Sequence, residues 1–121
     1  MNTQRTEVPV QARVAAVVPA YKVSRHIVDV VLSLLGYCDH IFVVDDCCPE
    51  GSGKLVQDNV SDPRVTVLFN AENTGVGGAV MEGYRAAVAA DMDVIVKVDG
   101  GRPNGCFIDT RVRLSHSDGP S

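Results

Sequence analysis

The sequence predicts an α/β fold built on a doubly wound, mainly parallel sheet, and three runs predict it. They are Val17-Val18-Pro19-Ala20-Tyr21, Phe42-Val43-Val44-Asp45-Asp46 and Val94-Ile95-Val96-Lys97-Val98-Asp99-Gly100. Each is an apolar, β-branched stretch that stops abruptly at polar or turn-forming residues. A buried parallel strand looks like this where its carboxyl end opens onto a crevice, and in open α/β sheets that crevice is where ligands bind. Two of the runs end in carboxylates. Acids gathered at one sheet edge suit a hydroxyl-rich or metal-chelated ligand.

The elements follow in order. Arg13 to Val18 reads as the first strand. Ser24 is a candidate N-cap for a helix whose apolar positions Ile27, Val30, Val31, Leu34 and Leu35 keep the helical period and end near Gly36. Ile41 to Val44 is the second strand. A turn at Pro49-Glu50-Gly51-Ser52-Gly53 leads into a short helix carrying Leu55, Val56 and Val60, which Asp62-Pro63 stops. Val65 to Phe69 is the third strand, Asn70 to Gly78 a loop, Ala79 to Ala90 an alanine-rich helix, and Val94 to Val98 the fourth strand. Strand alternating with helix implies right-handed crossovers between parallel neighbours.

Composition narrows the function classes. At 121 residues the chain is at most one domain, with 45% hydrophobic residues and a formal net charge of −4. Mild acidity, six aromatics and no basic stripe argue against nucleic acid as a partner. No apolar run approaches the roughly 18 residues that span a bilayer, and the polar opening 1–11 is not a secretory signal. The expectation is a soluble, cytoplasmic chain. Cys38, Cys47, Cys48 and Cys106 lack the paired spacing of a zinc site, and adjacent Cys47 and Cys48 could bridge only with strain; the plain reading is free thiols in a reducing compartment.

Two phosphate motifs fail when tested. Around Gly51-Ser52-Gly53-Lys54 the first glycine of a P-loop falls on Cys48, and Leu55 replaces the hydroxyl that would bind magnesium. At Gly75-Val76-Gly77-Gly78 the third glycine of a dinucleotide fingerprint falls on Val80, and the loop follows the third strand instead of the first. Asn73 and Gly75 to Gly78 are therefore read as a tight loop that permits helix packing, although amides at that helix start could still meet an anion.

Taken together, Val17-Val18-Pro19-Ala20-Tyr21, Val43-Val44-Asp45-Asp46, Asn73 to Ala79 with Gly83 and Ala86 in the following helix, and Lys97-Val98-Asp99-Gly100 form a pattern. That pattern resembles the nucleotide-binding half of the family 2 glycosyltransferases of GT-A, Rossmann-like fold, with the dolichyl-phosphate mannose synthase-like members the nearest type. The resemblance covers roughly 13–100, flanked by a polar N-terminal segment 1–12 and an irregular tail 101–121. It implies that the strand ends hold a nucleotide diphosphate sugar. Pro19, Ala20 and Tyr21 would line the base pocket, and Asp46 would hydrogen-bond the base. Asp99 would be the first acid of a D-x-D that holds Mg²⁺ or Mn²⁺ on the diphosphate, where the cation neutralises the leaving group. Asp45 is placed with the site residues, its other reading being an acceptor of backbone amides at the strand end. Full-length relatives would work at the cytoplasmic face of a membrane. Other readings are a stand-alone nucleotide-binding or regulatory module and a sugar-nucleotide nucleotidyltransferase; Tyr21-Lys22-Val23-Ser24-Arg25 after the first strand, without a glycine-rich basic loop, disfavours the last.

The chain departs from this pattern in two places. Where the family reads DDGSTDGT, Cys47 and Cys48 follow the acids. Where it reads D-G-D-G-Q-M-D, this chain has Asp99-Gly100-Gly101-Arg102-Pro103-Asn104-Gly105, so the second acid is absent. Beyond Gly101 the periodicity fades and no element is assignable. The genetic code supplies a reason. Gly-Arg-Pro-Asn-Gly is written GGN-CGN-CCN-AAY-GGN, and the codon of Cys106 begins with T. Dropping the first base gives GNC-GNC-CNA-AYG-GNT, which can spell Asp-Gly-Gln-Met-Asp. The expectation is a truncated, inactive form produced by one extra base near the codons of Gly100 and Gly101. Sequencing the gene should then show D-G-Q-M-D in the next frame, open for roughly another hundred codons, the size of a further small domain. A frame that closes within a few codons contradicts this.

Overall fold

The computed structural model describes residues 13–98 and the backbone of 108–111. The element order is β1 (Val14–Ala20), α1 (Ile27–Leu34), β2 (His40–Asp45), α2 (Ser52–Asn59), β3 (Val65–Phe69), α3 (Gly75–Ala89), β4 (Val94–Val98) and β5 (Ile108–Arg111). The sheet runs β3-β2-β1-β4-β5. β1 pairs in parallel with β2 and β4, and β2 in parallel with β3. The strand order therefore reverses between β1 and β4, which opens a crevice beyond their carboxyl ends.

Burial explains why the strands read as continuous apolar runs. Alternate residues of each strand pack on opposite faces. Ala16, Val18, Ala20, Ile41, Val43, Val96 and Val98 join Ile27, Val30, Val31 and Leu34 of α1 and Val56 of α2 in one core. Ala15, Val17, Phe42 and Ile95 join Ala87 of α3 and Met92 in the other. With helices on both faces, neither side of β1 or β2 meets water, so the polar alternation of a half-exposed strand is missing.

Three boundaries differ from expectation. Ser24 does not cap α1: the N-cap position is His26, without a side-chain cap bond, and Ser24 Oγ donates to Glu50 Oε1 at 2.9 Å. α3 begins at Gly75, four residues before the first alanine, because its cap comes from a distant strand end. Beyond residue 100, where no element was assignable, β5 pairs antiparallel with β4, with Val98 opposite Ile108 and Ile95 opposite Arg111. Ile108-Asp109-Thr110-Arg111 sets its two β-branched residues, Ile108 and Thr110, at the strand period, a short signal that the surrounding polar sequence hides. It meets the row of N–H and C=O groups along the free edge of β4.

α3 lies close on β1 because Gly83 lets it: a Cβ at Gly83 would sit 2.3 Å from Val17 Cγ1. Gly83→Ala gains about 1 kcal/mol of helix propensity, but overpacking against a stiff β-branched neighbour costs about 1–3 kcal/mol, so net destabilisation is expected. Urea denaturation should also show that Gly83→Ala combined with Val17→Ala destabilises less than the two changes summed. Strict additivity would contradict the contact.

Candidate functional site

The end of β2 carries two adjacent carboxylates that serve different elements. Asp45 is 4% exposed and Asp46 2% exposed. Asp45 Oδ1 accepts the Cys48 amide at 2.7 Å, and Oδ2 accepts the Gly53 amide at 2.8 Å, inside the first turn of α2. Only a glycine permits this approach, since a Cβ at residue 53 would lie 2.7 Å from Asp45 Oδ2. Asp46 Oδ1 accepts Thr74 N at 2.8 Å, Thr74 Oγ1 at 2.7 Å and Asn70 Nδ2 at 2.9 Å, while Oδ2 accepts Gly75 N at 2.8 Å. Burial pushes the Asp46 carboxyl up, yet the donors from Asn70, Thr74 and Gly75 outweigh it and hold it below the ordinary carboxylate value.

Asp46 thus caps α3, favoured both by the orphan amides of the first turn and by the helix dipole. Asn73 tightens the same loop: its Nδ2 donates to the Asp46 carbonyl at 3.2 Å, and its Oδ1 accepts Gly75 N at 3.1 Å.

Beside this loop lies a cavity of about 480 Å³, lined by Pro19, Ala20, Tyr21 and Val23 from the end of β1, by Asp46, Asn73 and Gly75, by Val76 and Ala79 of α3, and by Lys97 of β4. Of the residues singled out from sequence, Pro19, Ala20, Tyr21 and Asp46 come together here. Asp45 is not among the lining residues and is occupied at the start of α2. Asp99 lies outside the described residues. Tyr21 is 40% exposed, with Lys22 Nζ 5.5 Å from its ring centroid, so an aromatic face stands at the rim.

Val23, Asn73, Gly75, Val76, Ala79 and Lys97 line the cavity without having been expected as site residues. Asn73 and Gly75, which the sequence reads as a tight packing loop, form that loop and also lie along the cavity wall. Lys97 belongs to the Lys97-Val98-Asp99-Gly100 motif, and a lysine inside an apolar run of a buried strand is itself a signal.

Of the four cysteines, Cys106 lies outside the described residues. Cys38, Cys47 and Cys48 are free, and among the described residues no three His, Cys, Asp or Glu side chains converge as cation ligands. Cys47 has φ +59°, at the place where the family reads glycine. Cys48 Sγ accepts the Lys22 amide at 3.0 Å and lies 3.2 Å from Ser52 Oγ, tying the loop after β1 to α2. Burial pushes its thiol up, but bonds from Ser52 Oγ and from the Lys22, Ser52 and Glu50 amides bring it below the ordinary thiol range.

The glycosyl transferase family 2 profile matches residues 15–100. The chain belongs to this family. Among curated relatives, it is 37% identical over 60 residues to the undecaprenyl-phosphate mannosyltransferase of Micrococcus luteus, covering 49% of this chain and 25% of that protein. It is 30% identical over 91 residues to the polyprenol monophosphomannose synthase of Mycolicibacterium smegmatis, covering 72% of this chain and 34% of that protein. The chain thus spans a quarter to a third of the length of these relatives.

Among solved structures, residues 1–349 of S. aureus TarS superpose with a TM-score of 0.64 at 20% identity, covering 74% of this chain and 27% of that one. The mannosyltransferase PcManGT of Pyrobaculum calidifontis, in complex with GDP-Man and Mn²⁺, superposes at 0.61 with 22% identity, again over 74% and 27%. These likenesses establish the GT-A type of α/β fold. Among the described residues no helix is long and apolar enough to cross a membrane.

The capping role of Asp46 makes two predictions. Its lowered carboxyl contributes stability above the ordinary aspartate value near 4, and that contribution is lost as pH falls through the lower folded value. Asp46→Asn, which trades charge-assisted acceptors for an amide, should lower stability at neutral pH by about 3 kcal/mol and remove this part of the acid dependence. Urea melts at pH 7 and pH 3 measure both, and unchanged stability in the variant would contradict the cap.

Proposed function

We propose that the cavity binds the nucleoside diphosphate of a sugar donor and that the chain is the donor-binding half of a glycosyltransferase. The supporting observation is that one cavity, at the point where the strand order reverses, joins an aromatic and apolar end (Tyr21, Pro19, Ala20, Val23) to a cationic one (Lys97). A nucleotide has the same division, a flat base at one end and anionic phosphates at the other.

The roles follow from that match. Tyr21 offers a ring face to the base, and Pro19 and Ala20 bring backbone against its edge. Asp46 already accepts four donors, so its first contribution is to hold Asn73 to Val76 as a fixed wall; a base N–H would compete for what remains of its acceptor capacity. A divalent cation is part of the donor complex of PcManGT. The described residues here do not assemble ligands for one, so no step is assigned to a cation. The relatives that act on polyprenol phosphates and use mannose make lipid-linked acceptors and mannosyl donors the first classes to try.

Titration calorimetry with GDP-mannose, GDP and UDP tests the reading. At least one should bind, and Tyr21→Ala should weaken it roughly threefold to tenfold through the lost aromatic contact. A cooperatively folded chain that binds none of them would remove the proposal.

A further inference from the structure

Lys97 occupies a position that the strand pattern makes unusual. Its neighbours Val96 and Val98 are 9% and 0% exposed and pack against α1 and α2, so alternation turns Lys97, with Ile95, to the α3 side of the sheet. There its side chain reaches the cavity near the carboxyl end of β4. An ammonium group in such a place runs its methylene stem along the apolar strand and keeps its head where polar partners come.

Among the described residues that line the cavity, Lys97 is the one cation. Among those described residues the one acid is Asp46, which is hydrogen-bonded by donors from Asn70, Thr74 and Gly75. The first residues of α3, Gly75 and Val76, line the same volume, but the helix start is already matched by Asp46, so the cationic contribution is that of the lysine. The β1 end offers apolar and aromatic surface inside the cavity, with the Lys22 ammonium outside the lining, 5.5 Å from the Tyr21 ring centroid.

We infer that the Lys97 ammonium is the group that binds the diphosphate oxygens, fixing the ligand with its base toward Tyr21 and its phosphates toward β4. This rests on the nucleotide reading above and goes beyond it by assigning the charge recognition to a side chain of the sheet itself. The register also sets Asp109 opposite Lys97 across β4 and β5, which supplies the competing role of a cross-strand pair.

The test compares the wild type with Lys97→Met, which keeps the stem and removes the charge, and with Lys97→Arg, which keeps the charge. Inorganic pyrophosphate, a nucleoside diphosphate and the bare nucleoside are titrated in EDTA, with Lys54→Met as a control for net charge. Lys97→Met should weaken diphosphate and pyrophosphate roughly tenfold to a hundredfold, the range of a lost charged hydrogen bond, and leave the nucleoside unchanged. Lys97→Arg should retain most of the affinity, and added salt should erode what Lys97→Met removes.

Equal diphosphate affinity in Lys97→Met, or an equal loss for the nucleoside, overturns the assignment; so does a lowered melting point with anion affinity intact, the mark of a cross-strand role. Pyrophosphate binding that depends on Lys97, with no gain from the nucleoside, upholds the lysine and removes the nucleotide reading. Diphosphate binding indifferent to Lys97 does the reverse.

Discussion

Asp45 and Asp46 leave the carboxyl end of β2 toward opposite faces of the sheet, and each closes the first turn of a helix packed on that face. Asp45 takes the amides of Cys48 and Gly53 at α2, and Asp46 takes those of Thr74 and Gly75 at α3. Helix starts carry orphan N–H groups and a partial positive charge, so a buried carboxylate there is both hydrogen-bonded and electrostatically matched. Because the two acids are adjacent, one strand end sets the position of both helical layers. The positions of Thr74 to Val76, and with them one wall of the cavity, depend on this dipeptide.

The second constraint is the sheet order. β1 feeds α1 on one face and returns as β2, whereas β4 joins β1 on the other side after α3, so the helices diverge beyond the ends of β1 and β4. The loop after β1 and the start of α3 then face each other across a gap that no side chain fills. Gly83 against Val17 keeps α3 low on the sheet and so keeps the gap shallow. Cys48 holds the other side, its sulfur accepting the Lys22 amide next to Tyr21. A position filled by serine in the family pattern is here a thiol, and the sulfur still serves as an acceptor within the turn.

The division of charge in the cavity follows from the same arrangement. Asp46 sits under a loop that supplies it with donors, while Lys97 arrives from the strand on the far side of the strand-order reversal. The Asp46 carboxylate keeps its charge but spends its oxygens on the fold's own donors, whereas Lys97 stands on the opposite wall of the cavity. That is how an acidic chain with a net charge of −4 can present a cationic cavity end.

Most of the fold was legible in the sequence, because a strand buried on both faces announces itself as an uninterrupted β-branched run and a helix by its period. Pro19, Ala20, Tyr21 and Asp46 were legible as residues facing the cavity for a related reason: polar or turn-forming residues at the end of such a run must lie at the sheet edge. What the sequence could not carry was partnership. Gly75-Val76-Gly77-Gly78 reads as a loop on propensity, yet becomes the first turn of α3 because a carboxylate 29 residues earlier caps it. Ser24 looks like a cap but turns to Glu50, and Lys97 looks like any strand residue until the sheet order brings it to the cavity. Local periodicity determines the body of four strands and three helices, while the start of α3 and the pairing of β5 depend on distant partners. Which side chain caps which helix, and which charge faces the empty space, depends on contacts between residues far apart in sequence, and only the tertiary structure decides those.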